Sequence, residues 1–199
     1  ARFTCARETA LFPQPIDPAD LRPVLQREIA GLGPDDPDRD DEFGRSVAIS
    51  DGTIAIGAWQ DDEGGSNAGA VYLFERQDGE FKQVAKLLAE DASENALFGN
   101  AIALDGDRLA VGASHEGAQE LGAVYVFERG ASGWEQTDKL RPAGLSGEAH
   151  IGESIALDGD LLAVAAPVSE GGGSAYLFEY SGGSWSQIAS LERPASLPA

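Results

Sequence analysis

The chain has 199 residues with 14 basic and 34 acidic side chains, a formal charge of −20, so phosphate backbones and anionic membrane surfaces are repelled and nucleic acid is excluded as a partner. At 42% hydrophobic and 24% charged it is globular in composition, and its longest apolar runs are too short to cross a bilayer. The 25 glycines follow no collagen-like period and predict many tight turns in place of a helical bundle. The absence of Met leads us to expect a processed or excised piece, as removal of a signal peptide would leave. The single Cys5 offers no internal disulfide.

In chain order, residues 1–41 form an irregular, proline-rich, acidic lead-in. Six of the ten prolines fall there, and Pro23, Val24, Leu25, Ile29 and Gly31 suit one short helix. From residue 42 a repeat begins. Phe43-Gly44-Arg45-Ser46-Val47-Ala48-Ile49 recurs as Phe98-Gly99-Asn100-Ala101-Ile102-Ala103-Leu104 and as Ile151-Gly152-Glu153-Ser154-Ile155-Ala156-Leu157. Gly69-Ala70-Val71-Tyr72-Leu73-Phe74 recurs as Gly122-Ala123-Val124-Tyr125-Val126-Phe127 and as Gly173-Ser174-Ala175-Tyr176-Leu177-Phe178. An aromatic-x-Gln-x-x-x-Leu element closes each copy: Phe81/Gln83/Leu87, Trp134/Gln136/Leu140 and Trp185/Gln187/Leu191.

Each copy predicts four strands. Asp51-Gly52 joins the first two as a hairpin, the β-branched and aromatic Val-Tyr-Leu-Phe run is the third, and Gln77-Asp78-Gly79-Glu80 turns into the fourth. Four antiparallel strands in repeats of about 40–50 residues are the signature of propeller blades. The expected fold is all-β, with three four-stranded antiparallel blades over 42–193 (about 42–96, 97–149 and 150–193) and a tail at 194–199. A closed propeller needs at least four blades. The expectation is therefore that a second copy, another subunit or further sequence completes it, because the open flanks expose apolar blade faces.

The Phe-Gly openings, Ile56-Gly57-Ala58, Val111-Gly112-Ala113 and the Gly-Ala-Val-Tyr-x-Phe strands resemble FG-GAP repeats, the blades of integrin alpha-subunit propellers. That resemblance implies a β-propeller used in binding and adhesion outside the cytoplasm, extracellular, periplasmic or on the cell surface, with calcium as the candidate cofactor in a loop patterned Asp-x-Asp-x-Asp-Gly-x-x-Asp. The corresponding places hold only Ser50-Asp51-Gly52-Thr53, Leu104-Asp105-Gly106-Asp107 and Leu157-Asp158-Gly159-Asp160. Six to eight oxygens cannot come from a two-residue hairpin, so Asp51, Asp105 and Asp158 read as turn formers. Tyr72, Tyr125 and Tyr176, with Phe74, Phe127 and Phe178, share a strand face and read as packing between blades.

In a four-stranded meander the loops entering the first and third strands open on one edge. Loops 33–42, 59–68, 89–97, 114–121, 142–150 and 167–172 therefore line one face and hold almost half of the 34 acids, with Arg39 their sole base. The opposite face, made of short turns, offers a ligand little. Asp35, Asp36, Asp38, Asp40 and Asp41 alternate as hard-cation ligands would. Trp59 with Asp61, Asp62 and Glu63, the acids Glu90, Asp91 and Glu94, and His115 with Glu116 are the candidate ligand-binding residues. His115 and His150, one blade apart, are also a candidate transition-metal pair. No nucleophile elbow, phosphate loop or paired cysteines occur, so no catalytic residue is assigned. The leading expectation is a non-catalytic binding or scaffold module for a protein, glycan or cation. The alternatives are a structural subunit of an extracellular assembly and a polysaccharide hydrolase using two face carboxylates.

Overall fold

Alternating β-branched and aromatic residues between glycine-containing turns give twelve strands in the computed structural model, which describes residues 33–36, 40–117, 119–145, 147–169 and 172–192. The expected helix near residues 23–31, Cys5, Asp38 and the tail lie outside that range. The first sheet is β1 (Phe43–Ser50), β2 (Thr53–Ala58), β3 (Ala70–Gln77) and β4 (Glu80–Leu87). The second is β5 (Phe98–Asp105), β6 (Arg108–Ala113), β7 (Ala123–Gly130) and β8 (Gly133–Leu140), and the third is β9 (Ile155–Asp158), β10 (Leu161–Ala166), β11 (Ser174–Ser181) and β12 (Ser184–Glu192). Each is an antiparallel meander in sequence order, as blades are.

The first hairpins differ in register by one residue, which corrects the reading of the aspartates. Ser50 pairs with Thr53, so Asp51 (φ +47°) and Gly52 (φ +83°) make the turn in blade 1. In blades 2 and 3, Asp105 pairs with Arg108 and Asp158 with Leu161, which puts both aspartates at strand ends and gives the turns to Gly106-Asp107 and Gly159-Asp160. Position, not turn formation, is what Asp105 contributes: its Oδ2 accepts the Gly159 N–H at 2.6 Å, as Ser50 Oγ accepts the Gly106 N–H at 3.0 Å. Each first strand thus grips the turn of the next blade.

The core lies between blades. Ala55, Val71, Leu73 and Leu87 of blade 1 pack on Phe98, Leu109, Val111, Tyr125 and Phe127 of blade 2. Val124, Val126 and Leu140 of blade 2 pack on Leu162, Val164, Tyr176, Phe178 and Trp185 of blade 3. The Phe of each Phe-Gly opening meets the repeated aromatics edge-on: Phe98 stands 5.5 Å from Tyr125 and 5.9 Å from Phe127, and Phe43 stands 5.4 Å from Tyr72. Burying such an aromatic contributes about 2–3 kcal/mol, so the shared face of the Tyr/Phe rows is a packing face.

The repeated glutamines have a structural task too. Gln83, Gln136 and Gln187 each accept, through Oε1, the backbone N–H of Asp35, Glu90 and Ala143. These donors stand eight residues before Phe43, Phe98 and Ile151, so each outer strand clamps the loop that leads into its own blade.

On the face of short turns, Arg108 makes ion pairs with Glu128 (3.2 Å) and Asp160 (3.0 Å) and lies 4.3 Å over the Tyr180 ring. It lines a cavity of about 270 Å³ together with Asp105, Asp107 and Arg129. This face is more sculpted than a row of turns implies, but its guanidinium is engaged in holding blades 2 and 3 together.

Candidate functional site on the acidic rim

The loops between second and third strands and between blades interlock along one rim. Leu97 N–H donates to the Asn67 carbonyl, His115 N–H to that of Ala96, and both Ala149 and His150 to that of Glu120. The acids expected there divide into two groups: those gripped by lysine and those turned outward.

Lys86, opposite Tyr72 on the neighbouring strand, reaches Asp36 at 2.6 Å, Glu63 at 2.7 Å and Asp61 at 2.9 Å. Asp61 is only 2% exposed. It also accepts the Tyr72 hydroxyl at 2.8 Å and the Glu63 N–H at 3.0 Å. Together with Asp41 and Asp62 these residues border a shallow depression of about 200 Å³. Burial alone disfavours the Lys86 ammonium, but hydrogen bonds to Asp36, Glu63 and Asp61 outweigh it and raise its pKa. The same lysine holds the Asp36 carboxyl below its ordinary range.

Blade 2 repeats the device. Lys139 bridges Asp91 (2.5 Å) and Glu116 (2.9 Å), Tyr125 donates to Asp91 at 2.8 Å, and Arg141 pairs with Glu116. Burial opposes ionisation of Asp91, yet the Lys139 and Tyr125 hydrogen bonds keep its pKa low. Burial, reinforced by the Asp91 carboxylate, pushes the Tyr125 phenol up. Each latch joins the loop arriving at a blade to that blade's own third and fourth strands.

In blade 3 the matching positions are neutral. Ser190 pairs with Tyr176 where the other blades have lysine, Ser169 takes the place of the buried acid, and Gly144 that of Asp91. Both signs of charge have gone together, as they must if neither is to be left buried alone.

The remaining sites fall as follows. Trp59 donates its Nε1–H to Glu42 at 2.8 Å and lies 4.3 Å beneath the Arg45 guanidinium. Asp35 is exposed and anchored through its backbone, Asp40 is exposed, and Asp41 is buried with its carbonyl accepting from Gln60. The described members of the acidic run therefore include Asp36, which is ion-paired. Asp62, Glu90 and Glu94 are exposed, with no cation within ion-pair distance of them among the described residues. His115 and His150 stack with ring centroids 4.5 Å apart. Sequence reasoning missed the lysine latch; its signal was the lysine that precedes each closing leucine in the first two copies, Lys86-Leu87 and Lys139-Leu140, and is absent from the third.

Four-stranded meanders packed face to face, with their loops gathered on one rim, define three consecutive blades of a β-propeller. The FG-GAP repeat model matches residues 27–74, 81–127 and 134–178. The chain belongs to the FG-GAP repeat family. The second and third matches begin on the fourth strand of one blade and end on the third strand of the next, so the sequence repeat is offset by one strand from the structural blade. A protein from Lactobacillus plantarum of known crystal structure is 19% identical, with a TM-score of 0.53 over 76% of this chain. This chain spans 42% of that protein's length. A search of curated proteins gave no match.

Proposed function

We propose that this chain is a non-catalytic extracellular binding or scaffold module that presents its acidic rim to a cationic protein surface. One observation carries the reading. The lysine latches neutralise the buried rim acids, while Asp62, Glu90 and Glu94 remain exposed on adjoining loops of a rigid scaffold, where binding residues usually sit. The calcium expectation draws least support, since Asp36 already faces Lys86. A hydrolase is favoured less, because Asp61 and Glu116 are each held by a lysine in separate blades.

The test is capture of a lysine-rich peptide by the full chain at two salt concentrations. Affinity is expected to fall as salt rises, because exposed charges are screened over about 8–10 Å at physiological ionic strength. Reversing Asp62, Glu90 and Glu94 to lysine is expected to abolish capture without altering the far-ultraviolet spectrum. Capture that survives the triple reversal overturns the proposal.

A second reading, a structural subunit of a larger assembly, is favoured by exposed apolar side chains on the outer blades. Val47 and Ile49 of β1 are 67% and 69% exposed, and Leu191 of β12 is 58% exposed although its counterparts Leu87 and Leu140 are buried. Light scattering is expected to give a mass above that of a single 20.8 kDa chain. A monodisperse monomer would remove this reading.

A further inference from the structure

The two histidines of the chain come together at the joint between blades 2 and 3. His115 lies on the loop after β6, and His150 immediately precedes the Ile151 that opens blade 3. Their rings are inclined by 29°. Glu120 Oε2 stands 3.2 Å from His150 Nε2 and 3.6 Å from His115 Nε2. Ligand atoms of all three residues lie within 4.8 Å of one another. We propose that His115, Glu120 and His150 bind one divalent transition-metal ion of the zinc class.

Donor chemistry sets the class of ion. Two imidazoles and one carboxylate suit zinc, cobalt, nickel or copper, whereas calcium takes oxygen ligands. Bond lengths of about 2.0–2.2 Å place neighbouring ligand atoms of a tetrahedral site roughly 3.3 Å apart. Both histidine-to-carboxylate separations are already close to that value, and closure on an ion requires the two stacked rings to splay apart so that their nitrogens converge. A water supplies the fourth position.

Two features orient the ligands independently of any ion. Ser114 Oγ contacts His115 Nδ1 at 3.1 Å, which leaves Nε2 as the ligating nitrogen in the manner of an outer-shell partner. The Glu120 carbonyl accepts the His150 N–H at 3.2 Å, so the backbone fixes one ligand against another. The left-handed φ of +52° at His150 is shared by Glu42 (+52°) and Leu97 (+58°) at the same place in the other blades, and belongs to the repeat. The histidines do not: the corresponding residues at the first joint are Gln60 and Leu97. The ion would cross-link the loop of blade 2 to the entry of blade 3, the blade whose charged latch is neutral.

The experiment is titration of the chelator-treated full chain with Co²⁺, followed by visible absorption, and with Zn²⁺, followed by calorimetry. One equivalent per chain, an intense ligand-field band of low-coordinate Co²⁺ displaced by Zn²⁺ but not by Ca²⁺, and a rise in melting temperature are expected. H115N, H150N and E120Q should each weaken binding at least tenfold, while E135Q, at an exposed residue of β8, should leave it unchanged. Asparagine tolerates the left-handed backbone at position 150, and melting of each variant in chelator checks its fold. A wild-type chain without stoichiometric binding, or with only the weak band of octahedral aquo-Co²⁺, overturns the proposal. So does an affinity for Zn²⁺ within twofold of wild type in both histidine variants.

Discussion

Gly112→Ala is expected to destabilise the protein by about 3 kcal/mol or more, at the upper end of the usual cost of overpacking. A Cβ on Gly112 would fall far inside contact distance of the Gly152 carbonyl oxygen and 3.2 Å from Asn100 Oδ1. Neither neighbour yields easily. Asn100 donates Nδ2–H to the Gly152 carbonyl at 3.2 Å and accepts the Ser114 N–H at 3.1 Å, and the Gly152 carbonyl is backbone in the next blade. Gly57 meets the Gly99 carbonyl in the same way, and Ser46 donates to that carbonyl at 2.6 Å. The third copy has Ala165 at this position. Ala165→Gly is expected to cost only the general penalty of glycine in a strand, about 0.5–1 kcal/mol. Urea unfolding decides the matter: a lower midpoint with unchanged slope for Gly112→Ala is expected, and equal effects at 112 and 165 would show that the joint does not require the close approach.

Lys86→Met should cost about 3 kcal/mol at neutral pH, the lower end of the range for removing one partner of a buried ion pair. The lower end applies because Asp61, 3% exposed at the side chain, keeps the Tyr72 hydroxyl and the Glu63 N–H when the ammonium is gone. Melting is expected to fall by roughly 6–12 °C for a domain of this size. Lys86→Met combined with Asp61→Asn should recover part of the loss, because the buried charge leaves with its partner. The neutral trio Ser169, Tyr176 and Ser190 of blade 3 is a natural instance of that double replacement.

The latches also set the pH window. Asp36 and Asp91 have lowered folded pKa values. Their contribution is therefore present above the unfolded carboxyl value of about 3.9 and is lost as pH falls through the folded ones. Lys86 is raised, so its contribution is present below the unfolded lysine value of about 10.4 and fades as pH rises through the folded one. Stability contributed by the latch should be fully present between those limits; in Lys86→Met both the acid-side loss through Asp36 and the alkaline-side loss through the lysine should shrink, measured by unfolding at a series of pH values.

Blade count, strand order and the inward Tyr/Phe rows were legible because the repeats preserve a two-residue side-chain alternation in all three copies. Turn register was less so. Asp-Gly reads alike at 51–52, 105–106 and 158–159, yet one fewer residue separates the Phe/Ile opening from the aspartate in the second and third copies. That single residue moves the aspartate from the turn to the strand end. On the rim, the sequence assigned the acids to one face but gave no means of separating gripped from outward ones. Asp61 and Asp62 are adjacent in the chain and differ entirely in burial, because alternate residues of that loop face Lys86 or solvent.

Composition and periodicity by themselves determined an acidic, all-β repeat chain with its negative charge gathered at the loops, since both follow from local alternation and turn chemistry. Tertiary structure decided what that charge does. Whether a carboxylate is a latch, a ligand candidate or an outward charge depends on whether a lysine of its own blade, or a histidine at the joint with the next, comes within about 3 Å of it. Residues 23 to 50 positions apart make those contacts, and only the folding of each loop onto the third and fourth strands of its own blade fixes such distances. Of the 34 acids behind the −20 charge, five on the rim are clasped by a lysine of their own blade, and Asp62, Glu90 and Glu94 stand exposed beside them.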